Sequence, residues 1–319
     1  TIIERKEANK VKGRFLFLIV LLAAMLALSG VAEGSYLSAQ TGVEHARYIG
    51  AEILSGTAYT WETYSSTLYA ISEGGQTVVG YAPEANYADM SILTLFSYAG
   101  SLHSVAARSD GDRLDVGVYK LNPMKGQILG FEKVGSLDFN GLNAAGGFQM
   151  PDVSSAAMAD GKLFAIIATS GGASQSYAFA LDTGARSDFD MDVRTFLATN
   201  GNLVMLVAQE GESVGLYVFD ASTRQGEKLC DLPSSARSFS YDTAAGRLYF
   251  LDDGLYRVDS PSDPRGTRIA NIPFVSASQI ASDGTLLIAV QDNDVYFSAI
   301  GDVPADVQTL SVYGTVSQN

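Results

Sequence analysis

Leu203-Val204-Met205-Leu206-Val207-Ala208-Gln209-Glu210-Gly211-Glu212-Ser213-Val214-Gly215-Leu216-Tyr217-Val218-Phe219-Asp220 reads as two apolar, β-branched runs around a glycine-bearing polar turn. That pattern predicts a tight β-hairpin. It recurs, with turns centred near Gly74, Gly111, Gly172, Gly211, Asp253 and Asn293, at spacings of 37, 61, 39, 42 and 40 residues. A fixed period of this length marks a repeat architecture, and a hairpin in each repeat marks a β-propeller. A second polar turn precedes each of the last four hairpins: Ala159-Asp160-Gly161-Lys162, Thr199-Asn200-Gly201-Asn202, Ala244-Ala245-Gly246-Arg247 and Ser282-Asp283-Gly284-Thr285. Each repeat then holds four strands, a to d from inside to outside.

Proline supports the same period. It cannot donate to a sheet ladder and is pushed to strand entrances. Pro151, Pro233 and Pro273 are 82 and 40 residues apart, between one repeat's outer strand and the next repeat's inner strand. The expected fold is therefore all-β, a six-bladed β-propeller of four-stranded blades over residues 57–319. The long 61-residue gap predicts an insertion at about 123–150, which includes the Gly-, Asn- and Ala-rich stretch Asn140 to Met150. In the third repeat, Ser154 to Met158, Leu163 to Thr169, Tyr177 to Leu181 and Ser187 to Val193 read as the four strands.

Ahead of the repeats, Arg5, Lys6, Lys10, Lys12 and Arg14 flank an apolar run from Phe15 to Leu28 that ends in Ser29-Gly30. Residues 1–30 thus read as a signal peptide or membrane anchor helix. The basic flank stays inside, so the remainder is placed outside a bacterial cytoplasmic membrane, secreted or anchored to its outer face. Membrane contact is expected only through this segment. Residues 31–56 read as a tether in which Val43 to Leu54 can form a short helix.

The 319 residues carry a formal net charge of −14. A leader with five basic and two acidic residues leaves the rest more acidic still. Nucleic acid is excluded as a partner, because binding it needs a basic surface that displaces counterions from phosphates. Cys230 is the single cysteine, which rules out an internal disulfide and thiolate clusters, and it reads as a free buried thiol. His45 and His103 are the two histidines, which leaves little to build an imidazole metal site or a serine triad. No metal and no cofactor are expected. Gly211-Glu212-Ser213-Val214-Gly215 matches a hydrolase nucleophile pattern, but it lies in a strand-to-strand hairpin instead of a strand-to-helix turn. Asp188, Asp190 and Asp192 alternate along a candidate outer strand, where charge discourages edge pairing.

Five of the six hairpin turns are acidic: Glu73; Asp110 and Asp112; Glu210 and Glu212; Asp252 and Asp253; Asp292 and Asp294. In a propeller the turns between strands b and c emerge on one face. These nine carboxylates are the candidate ligand-binding residues, for a cationic ligand whose affinity falls with salt. Tight-turn chemistry alone accounts for many Asp and Gly residues at such positions.

Ala180-Leu181-Asp182-Thr183-Gly184 resembles the repeat motif of quinoprotein propellers, yet Trp61 is the only tryptophan and the family's tryptophan girdle is missing. The layout of the chain resembles the N-terminal region of bacterial extracellular solute-binding lipoproteins of ABC transport systems: Leu28-Ser29-Gly30, then the propeller, then Leu310-Ser311-Val312-Tyr313-Gly314 as a strand that closes the last blade or opens another domain. Val31 stands where those lipoproteins carry the lipid-bearing cysteine, so lipidation by that route is impossible. The resemblance implies a non-catalytic extracytoplasmic binding module for a protein, peptide or glycan, accessory to transport. The sequence weighs against an enzyme and names no catalytic residue. The alternative is a propeller lyase or hydrolase with carboxylate, Tyr, Arg or His side chains converging in the central channel, and a channel of Ala, Ser and Val alone would exclude it.

Overall fold

The computed structural model describes residues 48–63, 66–72, 75–81, 90–110, 113–122, 130–140, 142, 151–168, 173–271, 277, 279–291, 294–299 and 308–309. All belong to the second of two units into which the chain divides, Ser35–Asn319. The expected leader helix and the residues of its lipoprotein-like end lie outside them. Among the described residues there is no helix, and hence none long and apolar enough to cross a membrane.

The chain is an all-β propeller. The first sheet is β1 (Tyr48–Leu54), β2 (Thr57–Glu62), β3 (Thr67–Ser72) and β4 (Gly75–Tyr81); the second is β5 (Met90–Tyr98), β6 (Ser101–Asp110), β7 (Arg113–Asn122) and β8 (Gly130–Leu137). The third holds β9 (Asp152–Ala159), β10 (Lys162–Ala168), β11 (Ser174–Ala180) and β12 (Arg186–Asp188), and the fourth β13 (Asp192–Asn200), β14 (Leu203–Glu210), β15 (Ser213–Asp220) and β16 (Gln225–Leu232). The fifth contains β17 (Arg237–Asp242), β18 (Arg247–Leu251), β19 (Leu255–Val258) and β20 (Thr267–Asn271), and the last β21 (Gln279–Ser282), β22 (Leu286–Gln291) and β23 (Asp294–Ala299). β24 (Gln308–Thr309) pairs in parallel with β20.

Among the described residues, the expected set of six uniform four-stranded blades is not complete. Five sheets carry four strands or more, and the last carries three among the described residues. β24, the next described strand after β23, bonds to the outer edge of the fifth sheet, not to β23. Leu310 to Gly314, expected to close the last blade or open another domain, lie outside the described residues.

Each sheet buries both faces against its neighbours, which is why its middle strands read as unbroken apolar runs instead of alternating ones. Leu163 to Ile167 on β10 and Val204 to Ala208 on β14 are buried at every position. Phe164 anchors one such layer, with ring contacts to Phe189, Phe196 and Phe219 from the facing sheet and its approach. Similar apolar layers lie between every pair of successive sheets, and Tyr48, Tyr69 and Ile71 close the ring against Ile288, Val290 and Phe297. Outer strands differ: Gln225 to Glu227 are exposed, and charged residues such as Lys133 and Asp188 guard those edges.

Three boundaries shift from the sequence reading. β1 occupies the end of the supposed tether, and Val43 to Leu54 does not form the expected helix over its described part, Tyr48 to Leu54. Ser55 (φ 52°) and Gly56 (φ 72°) make the left-handed two-residue turn that folds β1 onto β2, a turn repeated at Ala99-Gly100 and Asp160-Gly161. The region 123–150 is only partly an insertion, because β8 is the ordinary outer strand of the second sheet. After it, Phe139 stacks on Phe179 at 5.3 Å and ties this connection to the third sheet. Finally, the outer strand of the third sheet is just Arg186–Asp188, so Asp192 opens the next inner strand and Asp188, Asp190 and Asp192 do not share one strand face.

Candidate functional site

The acidic turns separate once the strands are in place. Starting the first sheet at β1 puts the turn that contains Glu73 between its third and fourth strands, whereas the turns at Asp110/Asp112, Glu210/Glu212, Asp252/Asp253 and Asp292/Asp294 join second and third strands. Successive antiparallel turns lie at opposite sheet ends, so the connection between β3 and β4 is not at the end that carries the connections between second and third strands. Glu73, Asp112 and Asp292 themselves lie outside the described residues, and for Asp110 and Asp294 only the strand positions are described, paired with Arg113 and Gln291.

Of the four remaining carboxylates, three are engaged locally. Glu210 accepts a hydrogen bond from the Tyr217 hydroxyl (3.1 Å) and stands 3.6 Å from the Lys228 ammonium. Asp252 accepts from the Ser235 hydroxyl at 2.9 Å. Asp253 accepts from the Tyr256 hydroxyl at 2.7 Å and faces Arg268 at 3.9 Å. The Tyr256 bond, assisted by the Arg268 charge, holds the Asp253 carboxyl below the usual range. These are partners that stabilise turns, and they compete with an incoming cation.

A second concentration of polar groups lies on the axis. Inner strands β1, β5, β9, β13, β17 and β21 form a closed ring around a cavity of about 720 Å³. Small Ala, Ser and Thr side chains leave the lumen open, and five charged residues reach its wall: Glu52, Arg194, Arg237, Asp242 and Asp283. Two carboxylates are consumed by the hairpins that end β17 and β21. Asp242 accepts from the backbone N–H groups of Ala244 (2.9 Å) and Ala245 (3.1 Å); Asp283 accepts from Thr285 and Leu286, both at 2.9 Å. Arg194 is oriented by the Gln209 side-chain carbonyl at 2.7 Å and 3.2 Å.

Glu52 is different. It sits beyond a β-bulge in which Gly50 and Ala51 together oppose one residue of β2; the pairing passes from Ile49↔Trp61 to Glu52↔Tyr59. One extra residue exchanges the two faces of a strand, so the bulge decides where Glu52 points. Only glycine fits at position 50: its φ is +76°, and a Cβ there would lie 2.6 Å from Leu95 Cβ. Glu52 is enclosed by protein yet keeps partial access to the lumen. Burial pushes its pKa up to about 8, and hydrogen bonds from the Ser97 hydroxyl and N–H pull the other way without cancelling it. The carboxyl is thus an acid that titrates near neutrality.

Glu52 is not among the sequence candidates, because residues 31–56 read as a tether. A usable signal existed: Tyr48 to Leu54, then Ser55-Gly56, then Thr57 to Glu62 repeats the turn pattern found in later sheets. The structure also places the other singled-out residues. Ser213 pairs with Glu210 across a two-residue hairpin. His103 is buried on β6 between Phe96 and Tyr98, and desolvation lowers its pKa. Cys230 lies half-buried on β16 as a free thiol, with its pKa raised by burial. Among the described residues, no three His, Cys, Asp or Glu side chains group closely enough to hold a metal ion.

No protein-family model and no curated sequence matches the chain. Its structure is similar to a luciferin-regenerating enzyme, at 11% identity and a TM-score of 0.52, over 89% of this chain and 100% of that one. It is also similar to regucalcin, a calcium-binding protein from Agrobacterium tumefaciens, at 14% identity and a TM-score of 0.50, over 88% and 97% of the two chains. At these identities the likeness establishes the propeller fold alone.

Proposed function

We propose that the chain is a propeller enzyme of the hydrolase or lyase class, with its site in the central channel and Glu52 as the general acid–base. One observation carries this reading: a carboxyl whose pKa is raised to about 8 faces a polar cavity large enough for a small organic substrate. An acid–base group works best when its pKa lies near the working pH. Protonated Glu52 gives its proton to a departing oxygen, and the Ser97 hydroxyl and N–H hold the carboxylate that remains. Ionised, the same group takes a proton from water or from a carbon next to a carbonyl. The luciferin-regenerating enzyme, with a similar fold, is an example of a propeller that carries catalysis.

The binding-module reading draws less support, since three of the four turn carboxylates whose side chains are described already have protein partners. Placement outside the cytoplasmic membrane, inferred from the basic and apolar leader, belongs to this proposal and is checked by cell fractionation. The catalytic test is turnover of a panel of activated esters, lactones and uronate disaccharides between pH 5 and 9. The expected result is a rate with an inflection near pH 8 that Glu52→Gln abolishes while thermal unfolding stays cooperative. Turnover by Glu52→Gln equal to the original protein, or a panel wholly inert, overturns the assignment.

A further inference from the structure

The inner strand of the last sheet opens on Gln279, whose side chain makes two long-range bonds. Its amide oxygen accepts the Gly50 N–H at 2.7 Å, and its amide nitrogen donates to the Ser154 carbonyl at 3.2 Å. Gly50 is on β1, the neighbouring inner strand. Ser154 is on β9, which faces β21 across the ring of six. The side chain therefore crosses the lumen at the end where inner strands begin.

Building on the reading of Glu52 as the working group, we propose that Gln279 is its positioning residue: a crossbar that pins the Gly50 bulge and bars that end of the channel. A bulge leaves a backbone N–H without its ladder partner, and a buried N–H must find another acceptor. Gln279 supplies it. Pinning Gly50 fixes the register of β1 two residues before Glu52, so the crossbar determines how the carboxyl meets Ser97 and how much water reaches it. The amide is chemically specified, because one end must accept from an N–H and the other donate to a carbonyl. A barred lumen does not let a polymer thread through, which selects a small molecule that enters from the hairpin end. The other ionisable groups along this wall are Arg194, Arg237, Asp242, Asp283, Tyr98 and Tyr241.

The test follows Glu52 protonation by infrared spectroscopy of its carboxyl stretch, with Glu52→Gln subtracted, in the full chain and two variants. Gln279→Ala removes the acceptor, frees the bulge and admits water, so the Glu52 midpoint falls by about one pH unit or more. Gln279→Glu keeps an acceptor for Gly50, gives up the amide donor and adds a negative charge that also favours neutral Glu52, so its midpoint stays at or above that of the original protein. It also preserves side-chain size, which keeps the test valid if the alanine variant does not fold: there the midpoint must not fall. An unchanged midpoint in Gln279→Ala, or a fall in Gln279→Glu, overturns the positioning role. A midpoint near the ordinary glutamate value in the original protein instead sinks the catalytic reading of Glu52 itself, so the two failures are distinguishable.

Discussion

Glu52 and Asp253 carry the same functional group, and the propeller pushes them in opposite directions. Asp253 stands at an exposed hairpin, where the Tyr256 hydroxyl and the Arg268 charge favour its ionised form. Glu52 stands inside the ring of inner strands, where loss of water outweighs its bonds from Ser97 and favours the neutral form. What distinguishes a candidate for chemistry is enclosure combined with access to a cavity, not the number of acidic residues on one face.

The largest expected effect breaks this comparison on the Glu52 side. Unfolded, the group releases its proton near 4.5; folded, it keeps it until about 8. Its raised folded value makes the contribution fully favourable below the unfolded pKa, and that contribution is lost as pH rises through the folded one. Between those values folding stability should decline by a total on the order of 4 kcal/mol, at most about 1.4 kcal/mol per pH unit. Urea unfolding of the original protein and Glu52→Gln across this range checks it: the excess slope of the original should vanish in the variant. Parallel slopes would contradict the buried acid.

Next in size is the bulge that aims Glu52. Gly50→Ala combines a left-handed backbone with a collision against Leu95 and should cost about 3 kcal/mol. Gly201→Ala has the same backbone handicap (φ 60°) but open space around it, and should cost about 1 kcal/mol. Urea midpoints of the two variants measure the difference, and equal costs would show that β1 accommodates a side chain at the bulge. The smallest effect belongs to the turns. Asp253→Asn loses one exposed contact and should shift the Tm by no more than about 2 °C, as exposed pairs contribute little. Turnover in the channel should not change. A collapse of activity in that variant would return the turns to the centre of the account.

The contrast also explains what could be read in advance. Hairpin turns, the proline phase at Pro151 and Pro233 and the apolar runs of β10 and β14 are local signals, and they were sufficient for an all-β propeller. The edge of the last sheet was not legible, because Gln308–Thr309 chooses β20 over β23 through pairing between distant segments. Glu52 was hidden for a related reason. Its strand is short and bulged, and its environment is assembled from Ser97 on a neighbouring inner strand and a register pinned by Gln279, 229 residues from Gly50. The acidic turns were conspicuous because turn chemistry selects Asp and Gly wherever hairpins are tight. Their prominence in the sequence therefore follows from turn chemistry alone.

The most direct measurement is the titration of the Glu52 side-chain carboxyl by ¹³C NMR in the original protein, assigned by its disappearance in Glu52→Gln. The expected midpoint is near 8, with most of the group protonated at neutral pH. A midpoint near 4.5 would mean that the channel solvates Glu52 as water does, and would contradict the assignment of the channel as the working site.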